Sequence, residues 1–104
     1  MAAMDRRLKL DSILRDFLGN NNTYFDPPES VKMHYPCVRY SRSYIDTRHA
    51  DNIPYLTRKR YELILIYDDP DSDLPDKLRE YLNVTHDRHY VADNLHHDVF
   101  TTYF

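Results

Sequence analysis

The amino-terminal part of the chain repeats apolar residues with the period of an α-helix. Over residues 4–18 the apolar side chains recur three or four positions apart, and charged side chains fill most of the other positions. The apolar members of this pattern are Leu10, Ile13, Leu14, Phe17 and Leu18. Gly19-Asn20 supplies a stop signal. The pattern predicts an amphipathic helix over 4–18, then a loop over 20–28, where asparagines and prolines favour turns.

Two strand-like segments follow this loop. Over residues 31–45 one alternating face carries Val38, Tyr40 and Tyr44, whereas the other carries arginine and serine. Residues 46–54 contain Asp, Asn and Pro and interrupt the strand pattern. A strand resumes at residue 55 and ends in the most apolar segment of the chain, residues 61–67. This segment is predicted to be the central strand of a sheet.

The carboxy-terminal part predicts a short helix and a hairpin. Residues 68–73 form a turn that ends at Asp73, a predicted N-cap, and Pro75 is tolerated in the first turn of a helix. One face of this helix carries Leu74, Leu78, Tyr81 and Leu82. Strand-like residues 85–92 and 96–104 are joined at Asp93-Asn94-Leu95. The order α-β-β-α-β-β predicts one α+β domain over residues 1–104, with a mainly antiparallel sheet flanked by helices.

Composition excludes several classes of protein. The 104 residues are 41% hydrophobic, which is enough for the core of one domain. A single glycine cannot supply a Walker loop or a dinucleotide fingerprint, so we expect no cofactor of that kind. A single cysteine, Cys37, cannot form an internal disulfide, which favours a reducing compartment. Charge near the amino terminus and the lack of a long apolar run lead us to expect neither a signal peptide nor a membrane span.

Charge is distributed unevenly along the chain. Residues 1–60 contain 11 Lys and Arg against 7 Asp and Glu, or +4, and residues 61–104 contain 3 against 10, or −7, which together give the net charge of −3. If the two halves occupy different sides of the domain, the basic side of one copy can meet the acidic side of the next, and such heterologous contacts close into rings. The alternative is a sheet that interleaves the two halves and cancels the asymmetry.

Histidine and aspartate are concentrated in residues 86–98. Pairing across the hairpin could bring His89 and His97 face to face as ligands of zinc or a similar ion, but no zinc-binding spacing is present. A hydrolase would use either histidine as a base, with Asp93 or Asp98 to orient it. Its nucleophile is missing, because Cys37 lies at a predicted strand start with no helix N-terminus to lower the pKa of its thiol. We therefore predict hydrogen-bonded structural histidines or a polar interface, no essential metal, no enzymatic activity and a buried or half-buried structural thiol.

Basic and aromatic residues interleave in the middle of the chain, which is the composition of a single-stranded nucleic-acid surface. The acidic tract at residues 68–76 would have to lie away from such a surface, and tyrosines at strand spacing are more often core residues. The residues concerned are Arg39, Tyr40, Arg42, Tyr44, Arg48, Tyr55, Arg58, Lys59, Arg60 and Tyr61.

The last six residues, Val99-Phe100-Thr101-Thr102-Tyr103-Phe104, form an apolar run with high β-propensity. Such a strand left at an open edge invites aggregation, so we expect it inside the sheet or covered by a neighbouring copy. Deleting Thr102 to Phe104 is then predicted to lower thermal stability or abolish assembly, whereas deleting Met1 to Ala3 does neither.

Three segments resemble small structural proteins from the head-to-tail region of long-tailed phages. They are residues 38–47 (VRYSRSYIDT), residues 61–72 (YELILIYDDPDS) and residues 87–99 (DRHYVADNLHHDV). The element order is also similar to that of the tail-terminator family. The resemblance implies a hexameric ring that caps the tail tube, stops its polymerisation and presents a surface to the head-completion proteins.

The same resemblance implies the location and partners of the protein. We expect a virion protein of the tail or neck, assembled in the host cytoplasm, that binds the tail tube protein and a neck protein and meets DNA only as cargo in the lumen. The alternatives are a head-completion or connector protein on the portal side and a small nucleic-acid-binding domain. For the ring we expect Arg58, Lys59 or Arg60 opposite Asp71 or Asp73 of the next copy, and we include His89, His97, Tyr103 and Phe104 as candidate interface residues.

Overall fold

A computed structural model describes residues 2–28, 30, 32–50 and 53–104, and for residues 2–5, 44–50 and 53–58 it describes the backbone alone. Seven elements follow one another in the order α-β-β-β-α-β-β. They are α1 (Ala2–Leu18), β1 (Thr23–Phe25), β2 (Cys37–Ala50), β3 (Ile53–Tyr67), α2 (Leu74–Tyr81), β4 (Val84–Ala92) and β5 (Leu95–Tyr103). The α+β class is confirmed, and the predicted order is wrong by one additional strand, β1.

The five strands form one sheet in the order β1-β2-β3-β5-β4. Every neighbouring pair is antiparallel except β1 with β2, which is parallel. The apolar segment at residues 61–67 lies in the central strand, as predicted. Strand β5 is enclosed by β3 and β4, so the carboxy-terminal run lies inside the sheet.

Strand β1 lies within the segment that the sequence predicts to be a loop. The Asn20 side chain accepts a hydrogen bond from the Asn22 N–H at 2.8 Å, and this turn directs Thr23–Phe25 along β2. At the two ends of the pairing, the Val38 N–H donates to the Asn22 carbonyl and the Asp26 N–H donates to the Tyr40 carbonyl. Three residues are too few to display an alternating pattern, so local periodicity could not reveal this strand.

The β2–β3 hairpin is longer at its tip than predicted. The interruption predicted at residues 46–54 is wrong, because β2 continues to Ala50 and β3 begins at Ile53. Pro54 pairs with His49 at a register shift, which is a position where a missing N–H is tolerated. At its other end β2 begins at Cys37 rather than at residue 31, and a second register shift between Arg42 and Tyr44 interrupts the alternation expected there.

Both helices pack on one face of the sheet and enclose the core. From α1 the core takes Leu10, Leu14 and Phe17, and from α2 it takes Leu78 and Leu82, which continue the predicted apolar faces. The sheet contributes Val38, Tyr40, Tyr61, Leu63, Leu65, Tyr67 and Phe100. Burial of this apolar surface is the main stabilising term for a domain of this size.

The predicted helix cap at Asp73 and the predicted turn at Asp93-Asn94 differ in how the structure forms them. Asp73 is the N-cap residue of α2, but its side chain makes no capping hydrogen bond; the Ser72 hydroxyl accepts from the Leu74 N–H instead. The β4–β5 turn is confirmed at Asp93 and Asn94, which adopt left-handed backbone angles with φ of 52° and 62°. Asp and Asn tolerate these angles better than other non-glycine residues, which is why they favour two-residue hairpins.

Candidate functional site

The distal half of the β2–β3 hairpin projects beyond the rest of the sheet. Strand β5 pairs with β3 only from Arg60 onward, the Phe104 backbone extends the pairing to Lys59, and β1 pairs only with residues 38–40 of β2. Residues 46–50 and 53–58, which we call the arm, pair with each other and with no other strand of the described chain. At about 3.4 Å per residue the arm extends roughly 20 Å. It contributes to the elongated shape of the molecule, 51 × 24 × 23 Å.

Basic and acidic residues are concentrated at opposite ends of the sheet. The base of the arm carries Arg42, Arg58, Lys59 and Arg60, with Asp46 as the register partner of Arg58, for a net charge of +3. The other end, which we call the acidic end, carries Asp68, Asp69, Asp71, Asp73 and Asp93. These aspartates share one end because Tyr67, which ends β3, pairs with His96 near the start of β5.

The distance between these charged ends follows from the length of β3. Lys59 and Asp68 are nine residues apart along this strand, or about 30 Å. Strand order also separates the two halves of the chain, because β1 and β2 lie on one side of β3 whereas β5 and β4 lie on the other. The alternative in which the sheet interleaves the two halves is therefore wrong.

The predicted interface aspartates are both exposed, but they differ in their contacts. The Asp71 backbone N–H donates to the Asp69 carboxylate at 2.9 Å, so this turn hydrogen bond does not use the Asp71 side chain. Asp73 forms an ion pair with Lys77 one helical turn later, at 3.4 Å. Asp71 is therefore the better candidate for contact with a second copy. On the basic side, the Arg58 side chain lies outside the described residues and Lys59 is half-buried.

The two last residues differ in their packing. Phe104 is half-buried against the core, its ring lies 5.3 Å from the Arg6 guanidinium, and its backbone exchanges two hydrogen bonds with Lys59. The Tyr103 side chain is 40% exposed. Phe104 thus joins the terminal strand to the base of the arm, whereas Tyr103 is the more accessible of the two.

A buried carboxylate organises the histidines of the β4–β5 hairpin. Asp98 is 4% exposed and lies on the helix-covered face of the sheet. Its Oδ2 accepts from the Tyr67 hydroxyl at 2.5 Å, and its Oδ1 lies 2.8 Å from His86 Nε2 and 3.0 Å from His89 Nδ1. The His89 ring also stacks on His96, with 3.4 Å between the facing nitrogens. We call these five residues the Asp98 cluster.

Hydrogen bonding determines the protonation of this carboxylate. Burial by itself raises the pKa of Asp98, but the hydrogen bonds from Tyr67, His86 and His89 and the charge of a protonated His89 outweigh burial and lower that pKa overall. The pKa of Tyr67 is raised, first by burial and then by its bond to Asp98. Asp98 is therefore ionised at neutral pH and serves as the common acceptor that joins β3, β4 and β5.

The predicted pairing of His89 with His97 is wrong. His89 is opposite Asp98, whereas His97 is opposite Tyr90, so the two histidines lie on different faces of the sheet. A register difference of one residue is enough to exchange faces because strand side chains alternate. On the face opposite the helices His97 stacks on Tyr90 with 4.6 Å between ring centroids, and Arg88 lies over the same tyrosine. That these histidines are structural or form a polar interface stays a prediction.

The remaining candidate chemistries lack their geometry within the described part of the chain. No group of three or more His, Cys, Asp or Glu residues is arranged to hold a metal ion there. Cys37 is buried, as predicted, and burial raises the pKa of its thiol to about 12. Tyr40 and Tyr61 are core residues rather than exposed platforms for bases, and the side chains of Tyr44 and Tyr55 lie outside the described residues.

Sequence reasoning missed Tyr67 as a partner of Asp98. The residue ends the apolar segment at 61–67, and a tyrosine at the end of a buried strand needs an acceptor for its hydroxyl. That signal existed, but the acceptor is 31 residues away in the sequence and could not be identified from it.

Comparisons with known proteins identify no relative of this chain. No family model, curated protein or solved structure matches it. Among the described residues no helix has the length and apolarity needed to cross a membrane.

Proposed function

We propose that this chain is a tail terminator of a long-tailed phage, a structural subunit that assembles head to tail into a ring and caps the tail tube. The observation that supports the proposal is the arm, which extends beyond the sheet at the basic end. Its two strands pair with each other and with no third strand of the described chain. The phage context and the hexameric ring are what the sequence resemblance implies.

An isolated two-stranded hairpin is at best marginally stable in water. The arm gains no support from a third strand, so packing against another molecule would stabilise it. A second copy of the chain supplies a complementary surface, because the acidic end carries four exposed aspartates within residues 68–73 and Asp93 beside them.

The arm base and the acidic end are too far apart to meet within one copy, since about 30 Å separates them along β3. Contact between two copies would therefore join different surfaces, which is a heterologous contact. Repeated contacts of this kind close into a ring when the rotation between copies permits closure. In that ring the chain acts as a scaffold without enzymatic activity, binds the tail tube on one side and a neck protein on the other, and meets DNA only in the lumen.

Light scattering coupled to size-exclusion chromatography tests the ring. We expect a species of about six times the 12.6 kDa chain mass, and we expect salt to weaken it because exposed charges are screened. A particle that remains monomeric at all concentrations, or that stops at a two-fold dimer, would contradict the proposal.

Charge reversal then tests the surfaces. Lys59→Glu and Asp71→Lys are each expected to reduce assembly, and the double variant is expected to restore it because the contact is rebuilt with opposite signs. Lys9→Glu, an exposed change on α1, is the matched control and should assemble normally. Failure of the double variant to recover would show that these two residues do not face each other.

Capping activity needs a separate assay. Adding the purified ring to polymerising tail tube protein from the same virion is expected to shorten the tubes seen by electron microscopy. A ring that leaves tube length unchanged would favour the head-completion alternative.

A further inference from the structure

Strand β4 ends the sheet and leaves one backbone edge without a partner in the described chain. All of its residues from Thr85 to Ala92 are exposed, including Val91 at 58% and Tyr90 at 37%. An open edge is a template for another strand, and monomeric proteins commonly obstruct it with bulges, lysine or proline. Here a register shift at Asp87 and the charge of Arg88 obstruct the first half of β4. The second half, His89 to Ala92, contains neither a bulge nor a lysine or proline.

Hairpin geometry identifies the backbone groups on this edge. Ala92 and Leu95 flank the two-residue turn, and the flanking residues of such a turn exchange hydrogen bonds with each other. Alternation then directs the N–H groups of Ala92 and Tyr90 toward β5, and those of Val91 and His89 away from it. The open edge therefore presents two N–H groups and their carbonyls to a strand from outside.

We propose that the open edge of β4 receives the arm of a second copy, whose β2 segment at residues 46–50 adds to it as an antiparallel strand. This inference rests on the proposed ring and specifies how neighbouring copies join. The sheet of one copy would then continue into the arm of the next.

Charge determines the direction in which the arm lies. Ala92, at one end of the open edge, adjoins Asp93 and the acidic end, whereas the base of the arm carries a net charge of +3. Placing the base at that end brings opposite charges together, and β2 then runs antiparallel to β4. The lengths also agree, because residues 46–50 of β2 span about 17 Å and cover the unobstructed segment from His89 to Ala92, which spans about 14 Å.

Val91→Pro tests the backbone pairing with little effect on the fold. Proline removes the outward N–H of residue 91 and none of the hydrogen bonds to β5, and edge strands tolerate proline when its nitrogen faces solvent. Val91→Thr keeps the N–H and the β-propensity, so it is the matched control. We expect Val91→Pro to melt within a few degrees of the unchanged protein but to weaken ring assembly at least tenfold, and Val91→Thr to assemble normally.

Disulfide trapping provides a second measurement that does not depend on the proline variant folding. Cysteines at Thr47 and Val91 are expected to cross-link copies into a ladder under mild oxidation, whereas cysteines at Ser12 and Val91 are expected not to. Cys37 is buried and should not compete. A ring that forms equally well with Val91→Pro, or that gives no cross-link between positions 47 and 91, would overturn the strand addition and leave the ring intact. If the unchanged protein forms no ring, both proposals fail.

Discussion

The body of the molecule and its arm share strands β2 and β3, yet they differ in what surrounds those strands. In the body, β3 lies between β2 and β5, and two helices cover one face with side chains such as Leu14 and Leu78 that are wholly buried. In the arm, the same two strands pair only with each other within the described chain. Hydrogen-bonded pairing between β2 and β3 therefore continues beyond the part of the sheet where β1 and β5 add further strands. The body contains the described core, so we expect it to fold without the arm, whereas the proposed ring assigns the arm to contact with a second copy.

The largest effect is expected from the centre of the body. Phe100 is fully buried and belongs to the cluster between the sheet and the helices. Phe100→Ala removes that burial and leaves a cavity, which should lower the free energy of unfolding by about 3 to 5 kcal/mol. Denaturant unfolding measures it. A loss below about 1 kcal/mol would show that the core is not organised around this ring.

The Asp98 cluster should produce the next largest effect, together with a pH dependence. Asp98→Asn deprives Tyr67, His86 and His89 of a shared anionic acceptor, and we expect a loss of about 2 to 3 kcal/mol at neutral pH. Since the folded pKa of Asp98 lies below its unfolded value near 3.8, its contribution is present above that pH and is lost as pH falls through the folded pKa. Melting curves from pH 7 to pH 2 should converge for the two proteins. Parallel curves would contradict this assignment.

The terminal residues link the body to the arm. Deleting Thr102 to Phe104 removes a buried threonine that donates to the Asn83 carbonyl, the Phe104 ring that packs against the core, and the two backbone hydrogen bonds between Phe104 and Lys59. We expect the free energy of unfolding to fall by about 2 kcal/mol, the order of one buried side chain, and ring formation to weaken. Deleting Met1 to Ala3 is the control and should change neither. Equal melting and assembly of the two truncated chains would show that the end of β5 is dispensable.

Shortening the arm should separate folding from assembly. Replacing residues 47–57 with Asn-Gly rebuilds a tight hairpin turn on the body. We expect the change in the free energy of unfolding to stay below about 1 kcal/mol, because the two strands of the arm pair with no other strand of the described chain and a two-stranded hairpin adds little stability, while assembly is lost. Circular dichroism and light scattering on the same sample measure both. If the shortened protein still assembles, the contact between copies does not involve the arm.

The smallest effect is expected from removing metal. A chelator should leave the melting temperature unchanged, and elemental analysis of protein purified without added metal should find no stoichiometric zinc. Within the described residues no group of three or more His, Cys, Asp or Glu side chains is arranged to hold a metal ion. A large loss of stability in chelator would reverse this prediction.

Much of the body could be predicted from the sequence because its signals are local. The spacing of Leu10, Leu14 and Phe17 predicts α1, and the apolar run at 61–67 predicts the central strand. The Asp93-Asn94 pair predicts the turn between β4 and β5, because few other residues adopt left-handed backbone angles at low cost. Each of these features depends on neighbours within a few positions of the chain.

Which distant residues meet depends on the strand order and register of the tertiary structure. Strand order separated the two halves of the chain, and the length of β3 placed the base of the arm and the acidic end about 30 Å apart, which composition could not reveal. Register assigned Asp98 rather than His97 to His89, because one residue of displacement changes the face of a strand. Three-residue β1 depends on pairing with β2, and the two strands of the arm depend on pairing with each other. Hydrogen bonds between strands produce no periodic pattern of residues in either segment alone.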